Sequence, residues 1–354
     1  MTEDVIWDCI ISGAGPGGSM AAFILAKAGK KVLILERKKI PRHKTCSGIL
    51  SHQTLKILKK EFNETFPEVL CAWPKKGRGQ KIKLPQYENF ISQDSEYMNV
   101  WRRDFDYWLN IKASEKGVEI WNQAELLSFE EKTDYIDVKI RYFDYKSKKS
   151  NFKNIKSKVL IGADGGNSKV KKILYSNEKW TYAYVYQEYW TGSSGSLDPN
   201  YFYGFVFPND VLYKSWNQKE DQMIIGASHS DPHKVKENHA KFVEYLEERF
   251  GMQLEKKVRA EGCYQSNVDS FGGSEYKLGK GKVLLIGEAA GLMDIFGEGI
   301  PAALTSGKEA ALSIIESENE NYINLYQEKL KKYIHKLIRN WNNLKKMGNF
   351  TFQV

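Results

Sequence analysis

The chain has 354 residues, 42% apolar and 27% charged, with 53 Lys and Arg against 44 Asp and Glu for a net charge of +9. That length supports a large core shared by two joined lobes, and the composition excludes a disordered chain, a collagen-like repeat and a solenoid. No apolar run reaches the roughly eighteen residues of a membrane-crossing helix, the opening MTEDVIWDC is acidic where a secretory leader is basic, and Cys9, Cys46, Cys71 and Cys263 form no CxxC pair. A cytoplasmic protein with free thiols is expected, with no disulfide framework and no metal site.

Val5 to Ser12 form an apolar run of strand length, followed at once by Gly13, Ala14, Gly15, Pro16, Gly17 and Gly18, which hold the G-x-G-x-x-G spacing. The helix-forming SMAAFILAKAG and a second strand, KVLILE, come next, ending at Glu36 with Arg37 behind it. In such a unit the first glycine permits a tight turn, the second lets the backbone approach a pyrophosphate, and the third lets helix and strand pack closely. The helix start then offers free N–H groups and the positive end of its dipole to phosphate, and the terminal acid accepts from a ribose hydroxyl. A dinucleotide is expected here.

Downstream, KTCSGILS (44–51) sets Cys46 beside a Ser47-Gly48 step, and the thiol reads either as a small buried hydrophobe or as a site residue. KVLIGADGGNSKVKK (158–172) ends a strand at Gly162, so Asp164 is either an acceptor at the mouth of a crevice or a turn-forming Asp-Gly. WTYAYVYQEYW (180–190) alternates with period two and places Tyr182, Tyr184 and Tyr186 on one strand face; YFYGFVFP (201–208) and VLYKSW (211–216) continue the aromatic theme. These rings either fill a core between sheet and helix or line an apolar cavity. GKVLLIGEAAGLMDIFGEGIPAALTSGKEAA (281–311) is a strand ending in Gly287-Glu288, a loop, and a helix opening at Pro301. Gly299 and Ile300 offer N–H groups at that opening. From Tyr322 to Met347, Leu330, Ile334, Leu337, Trp341 and Leu344 recur three or four apart among Lys and Arg, a basic amphipathic helix that either packs on the body or docks on a membrane face or partner.

The ordered set G-x-G-x-x-G, G-A-D-G-x-x-S and G-E-A-A-G with G-E-G-I resembles the FAD-dependent monooxygenases of the para-hydroxybenzoate hydroxylase type, and within them most of all the geranylgeranyl reductases. The resemblance runs from residue 5 to about 311. WRRDFDYWL (101–109) is similar to the family's Arg-x-x-Phe-Asp helix start, which implies that Arg102 reaches the FAD pyrophosphate. YGFVFP (203–208) resembles the reductases' Tyr-Gly-Trp-x-Phe-Pro with Phe205 for Trp. KTCSG resembles their Lys-x-Cys-Gly-Gly, with Ser47 for the first glycine, and implies that Cys46 stands beside the flavin ring. Glu288 occupies a position where Asp is usual, implying contact with the ribityl chain; Gly299 and Ile300 would meet the ring edge.

The resemblance implies an α/β fold with an α+β second lobe. A Rossmann-like FAD-binding domain would take residues 1–75, 97–175 and 280–320, an antiparallel-sheet substrate domain 76–96 and 176–279, and the basic helix 321–354. Tyr184, Tyr186, Tyr203, Phe205 and Phe207 would line a cavity for a hydrophobic small molecule. The leading activity is reduction of a C=C bond by hydride from flavin N5, with Cys46 as the first candidate proton donor. The alternatives are a monooxygenase or halogenase acting on an aromatic substrate, although the halogenase Trp-x-Trp-x-Ile-Pro is absent, and an electron-transfer flavoprotein. With no second G-x-G-x-x-G, reducing equivalents would come from NAD(P)H or reduced ferredoxin. The basic excess reads as a solvated surface, with an acidic redox carrier or a peripheral membrane contact as alternatives, and no nucleic-acid signature is present.

Overall fold

Apolar runs too short for helices and bounded by glycine build two separate sheets in the computed structural model, which describes residues 5–207, 214–266, 276–317 and 321–348. Along the chain come β1 (Ile6–Ser12), α1 (Pro16–Lys27), β2 (Val32–Glu36), β3 (Ile49–Leu50), α2 (His52–Phe62), β4 (Cys71–Lys83), β5 (Ile91–Val100), α3 (Arg102–Ser114) and β6 (Glu119–Asn122). Then follow β7 (Ala124–Glu131), β8 (Ile136–Asp144), β9 (Lys149–Gly162), α4 (Lys169–Leu174), β10 (Tyr182–Ser193), β11 (Tyr201–Phe205), β12 (Lys214–Lys219) and β13 (Gln222–His229). The last elements are α5 (Val235–Phe250), β14 (Gln253–Ser266), β15 (Gly279–Lys280), β16 (Val283–Leu285), α6 (Ile300–Glu316) and α7 (Tyr322–Gly348).

The first sheet runs β15-β16-β9-β1-β2-β6, with the β7–β8 hairpin joined to β9. Its centre is parallel: β1 pairs with β2 and β9, β2 with β6, and β9 with β16. Both faces of such a sheet are covered, and every residue of β2, VLILE, is accordingly buried. Helices α1 and α6 cross where both carry glycine, since a β-carbon on Gly307 would strike the Gly17 carbonyl.

The second sheet runs β14-β10-β13-β12-β11-β4-β5-β3 and is antiparallel except for the β11–β4 pair. One of its faces is covered by α5, whose Phe242 and Leu246 join Tyr203, Phe205, Trp216, Met223 and Ile225 in a buried core. Burial of each such side chain contributes about 1.5–3 kcal/mol.

The described residues divide into two compact units, one within Met1–Arg42, Asp106–Trp180 and Ser270–Asn340, the other within His43–Phe105, Thr181–Asp269 and Trp341–Val354. Residues 43–75 and 97–105, expected with the nucleotide-binding body, fall in the second unit, because β3, β4 and β5 hydrogen-bond into its sheet. In α7, Tyr326, Leu330, Leu337 and Trp341 are buried and Lys331, Lys332, His335 and Arg339 are exposed; the Leu344 side chain lies outside the described residues, as do Pro208 and Val211 to Tyr213. The amphipathic stripe is therefore used for packing, and no described helix is long and apolar enough to cross a membrane.

Candidate functional site

In the first unit the turn after β1 is shaped by its glycines. Gly13 has φ +113°, and a β-carbon there would strike the Ala163 carbonyl; one on Gly18 would strike the carbonyl of Gly13. A β-carbon on Gly15 would meet only the Arg42 Nη2, at 3.8 Å, so this stretch of backbone faces open space. Gly15 caps α1 with no side-chain hydrogen bond and Pro16 opens the helix, which leaves the first N–H groups of a twelve-residue helix directed at that space. An anion fits there.

Glu36, buried at the end of β2, accepts from the Ala14 N–H at 3.3 Å and from Arg42 Nε at 2.8 Å. Arg42 also donates through Nη1 to Asp106 Oδ2 at 3.0 Å, so one guanidinium joins two buried carboxylates. Asn110 Nδ2 donates to the Ala14 carbonyl at 3.1 Å and to Ser19 Oγ at 2.7 Å, fixing the turn from α3. Arg37, expected among the cofactor-binding residues, is exposed, and the arginine paired with Glu36 is Arg42. Sequence reasoning missed Arg42 and Asn110; Asp106 was within reach, because it is the aspartate of the Arg-x-x-Phe-Asp match.

Beyond β9 the carboxylate of Asp164 accepts through Oδ2 from the Lys169 N–H at 2.7 Å and the Val170 N–H at 3.2 Å, while its Oδ1 is buried without a hydrogen-bond partner. Burial raises the Asp164 pKa, against the Ser168 hydroxyl and those N–H groups. Lys171, fully buried, has its pKa lowered by desolvation to about 8, while Glu288 and Asp164 pull it back up, and its Nζ lies 4.5 Å from the centre of the Trp180 ring. Glu288 Oε2 is 4.0 Å from where a Gly165 β-carbon would be. Gly299 caps the seventeen-residue α6 without a side-chain bond, leaving N–H groups free around Ile300. The loop before it is held by Asp294, which accepts from Ile295 N–H and from Asn340 Nδ2 of α7 at 2.9 and 3.0 Å.

These features fit a dinucleotide. An uncapped helix start over bare glycine backbone suits a diphosphate, and the orphaned Asp164 Oδ1 suits a hydroxyl donor.

In the second unit Cys46 sits on a turn closed by Gly48, whose φ is +68° and whose β-carbon would collide with the Val100 carbonyl and the Lys219 ammonium. The Gly48 N–H donates to Cys46 Sγ at 3.4 Å. Lys219, 0% exposed, donates to the Ser47 and Val100 carbonyls, each at 2.6 Å, and Asn217 Nδ2 reaches the Ser47 carbonyl at 3.4 Å. Desolvation lowers the Lys219 pKa to about 7; Cys46 and Glu220 oppose the shift, and Arg102, at the start of α3, adds to it with Arg259. Arg259 stacks over Tyr189 at 3.9 Å and pairs with Glu261 at 3.3 Å.

The aromatic candidates lie elsewhere. Tyr203 and Phe205 are buried in the core under α5 with Phe207 packed against it, and Tyr184 meets Tyr264 edge-on at 5.1 Å. Tyr186 meets the His239 ring of α5 and lines a cavity of about 330 Å³ in which Ala240 and Val243 alternate with Glu188, Lys236 and Lys257, a mixed lining where an apolar one was expected. Strand register puts Gln187, Tyr189, Asn217 and Lys219 on the opposite face. The period of two had sorted the residues by face, but it does not say which face a helix covers.

A parallel sheet with this turn, acid and orphaned acceptor defines a dinucleotide-binding flavoprotein. The chain belongs to the FAD binding domain family, whose model matches residues 7–300. It is similar to the geranylgeranyl diphosphate reductase of Synechocystis, with 27% identity over 92% of this chain and 79% of that protein. Among solved structures it resembles a geranylgeranyl bacteriochlorophyll reductase-like protein from Thermoplasma acidophilum, with a TM-score of 0.75, 23% identity, and coverage of 95% of this chain and 85% of that one. The myxobacterial chondrochloren halogenase CndH gives a TM-score of 0.70 at 17% identity, covering 93% and 80%. At those identities the two structures establish the fold alone.

Proposed function

We propose that the protein is an FAD-dependent reductase of C=C bonds in a hydrophobic, isoprenoid-like substrate. The observation that carries the reading is the Cys46 turn, in which the Gly48 N–H donates to the thiol and a buried lysine holds the neighbouring Ser47 carbonyl, in a chain similar along most of its length to a geranylgeranyl diphosphate reductase.

In this reading the N–H groups at Gly13 to Gly18 hold the FAD diphosphate, and Glu36 accepts from the adenosine ribose while Arg42 fixes its carboxylate. Asp164 accepts a hydroxyl through Oδ1. Glu288, kept in place by Lys171, takes the ribityl chain, and the N–H groups at Gly299 and Ile300 meet the ring edge. Bound and reduced, FAD supplies a hydride to one alkene carbon. Cys46 gives its proton to the other carbon, and the turn around Lys219 sets where that proton stands.

The test is single turnover without oxygen. Protein purified with its flavin is reduced with dithionite and mixed with geranylgeranyl diphosphate and other isoprenoid or conjugated alkenes, and products are read by mass. A gain of two hydrogens with reoxidation of the flavin is expected, and NAD(P)H and reduced ferredoxin are then compared as donors. Reduced protein that no alkene reoxidises, or a gain of one oxygen from an aromatic substrate in air, would overturn the reading.

A further inference from the structure

Lys219 is a fully buried cation on β12 with no carboxylate in ion-pair distance among the described residues, an expensive arrangement for a surface-forming residue type. Its hydrogen bonds are to two backbone carbonyls. One belongs to Ser47, the neighbour of Cys46, and the other to Val100, whose own N–H donates to the Gly48 carbonyl at 2.8 Å. The turn is thus tied at both ends of Gly48, a residue with no room for a side chain because Lys219 and the Val100 carbonyl fill that space. Trp101 closes the other side, its ring centre 5.1 Å from Nζ. An ammonium has three donors, and two are used on carbonyls.

We propose that Lys219 is the positioning residue for Cys46, clamping its turn and returning the proton that the thiol gives up. The inference rests on the reductase reading for its second half only. As the alkene takes hydride on one carbon, the S–H bond of Cys46 breaks and a C–H bond forms at the other, leaving a thiolate. Lys219 passes a proton to that sulfur and becomes an amine, and water restores the ammonium. The charged groups that act on Lys219 come from several elements: Cys46 on the turn, Arg102 at the start of α3, Glu220 after β12 and Arg259 of β14, with Glu261 and His43 in turn on Arg259. Desolvation brings the lysine to about 7, where gain and loss of a proton are both accessible near neutral pH.

The experiment follows alkylation of Cys46 by N-ethylmaleimide in the full-length, flavin-loaded protein carrying Cys263→Ser, with the site confirmed by peptide mass. Lys219→Gln is expected to raise the rate at least tenfold, because the turn opens. In the parent the logarithm of the rate against pH bends near 7. In Lys219→Arg, whose guanidinium keeps its proton throughout, the bend disappears, and turnover of an alkene falls at least tenfold in kcat with KM within twofold. Rates within twofold of the parent with the bend retained in Lys219→Gln and Lys219→Arg would overturn the proposal; the arginine variant keeps the cation and serves if the glutamine variant fails to fold. Labelling that responds as expected in a protein that reduces no alkene sinks the reductase reading and leaves the clamp standing. Alkene reduction with unchanged labelling does the reverse.

Discussion

The two sheets carry their candidate site groups in different chemical form. In the parallel sheet the candidates are largely backbone, free N–H groups at the starts of α1 and α6, with Glu36 and Asp164 at strand ends. In the antiparallel sheet they are side chains on one of two faces, with the aromatic face under α5 and the buried polar residues Gln187, Asn217 and Lys219 opposite. A backbone site demands glycine at fixed steps and leaves a mark in the sequence. A side-chain site on a sheet leaves two interleaved patterns, and the more conspicuous one here belongs to the core.

The largest expected effect separates those faces. Phe205→Ala removes a ring with 0% exposure that meets Phe242, Tyr245 and Phe250, and should lower stability by about 3–5 kcal/mol. If Phe205 is core, flavin content and the mass of any product stay those of the parent at low temperature, and urea unfolding reports the loss. A variant of parental stability with altered substrate preference would return this ring to a cavity wall.

The next comparison lies within the first unit, between two arginines of one basic run. Arg42→Ala strips the shared partner from two buried carboxylates and should cost roughly 3 kcal/mol, with weakened FAD retention, because both carboxylates lose the cation that offsets their burial. Arg37→Ala, at an exposed position, should stay within about 0.5 kcal/mol and keep its flavin. Thermal melts and the ratio of flavin to protein absorbance on both variants decide it, and equal effects would mean that Arg42 is not the residue that fixes Glu36.

Much of the first unit was legible because each signal had one physical meaning. Only glycine tolerates φ +113° at Gly13 with a carbonyl against it, and a fully apolar VLILE suits a strand covered on both sides. Arg42 was hidden because its partners, Glu36 and Asp106, are six and sixty-four residues away and no local pattern joins them. In the second unit Cys46 was noticed for its flanking Ser-Gly. Lys219 was not, since a lysine ending KSWNQK reads as a solvated strand end until the fold buries it. The aromatic stretches were placed on strands, as observed, but on the face that α5 covers.

The last test uses Lys219 to weigh side-chain chemistry in the second sheet directly. With a folded pKa near 7 and an unfolded value near 10.5, the unfolded chain binds the extra proton between those limits. Unfolding therefore becomes less favourable as pH rises there, and the lysine's contribution to stability should climb by up to about 1.4 kcal/mol per pH unit. Below about pH 7 both states hold the proton and the contribution is flat. Lys219→Met removes the titration, so the stability of the parent minus that of the variant, from urea unfolding at pH 6, 7.5 and 9, should rise by about 0.8 kcal/mol over the first half of that range and by about twice as much over the second. A difference that stays level from pH 7.5 to 9 would mean that the ammonium is solvated after all, and the polar face would then offer no more chemistry than the aromatic one.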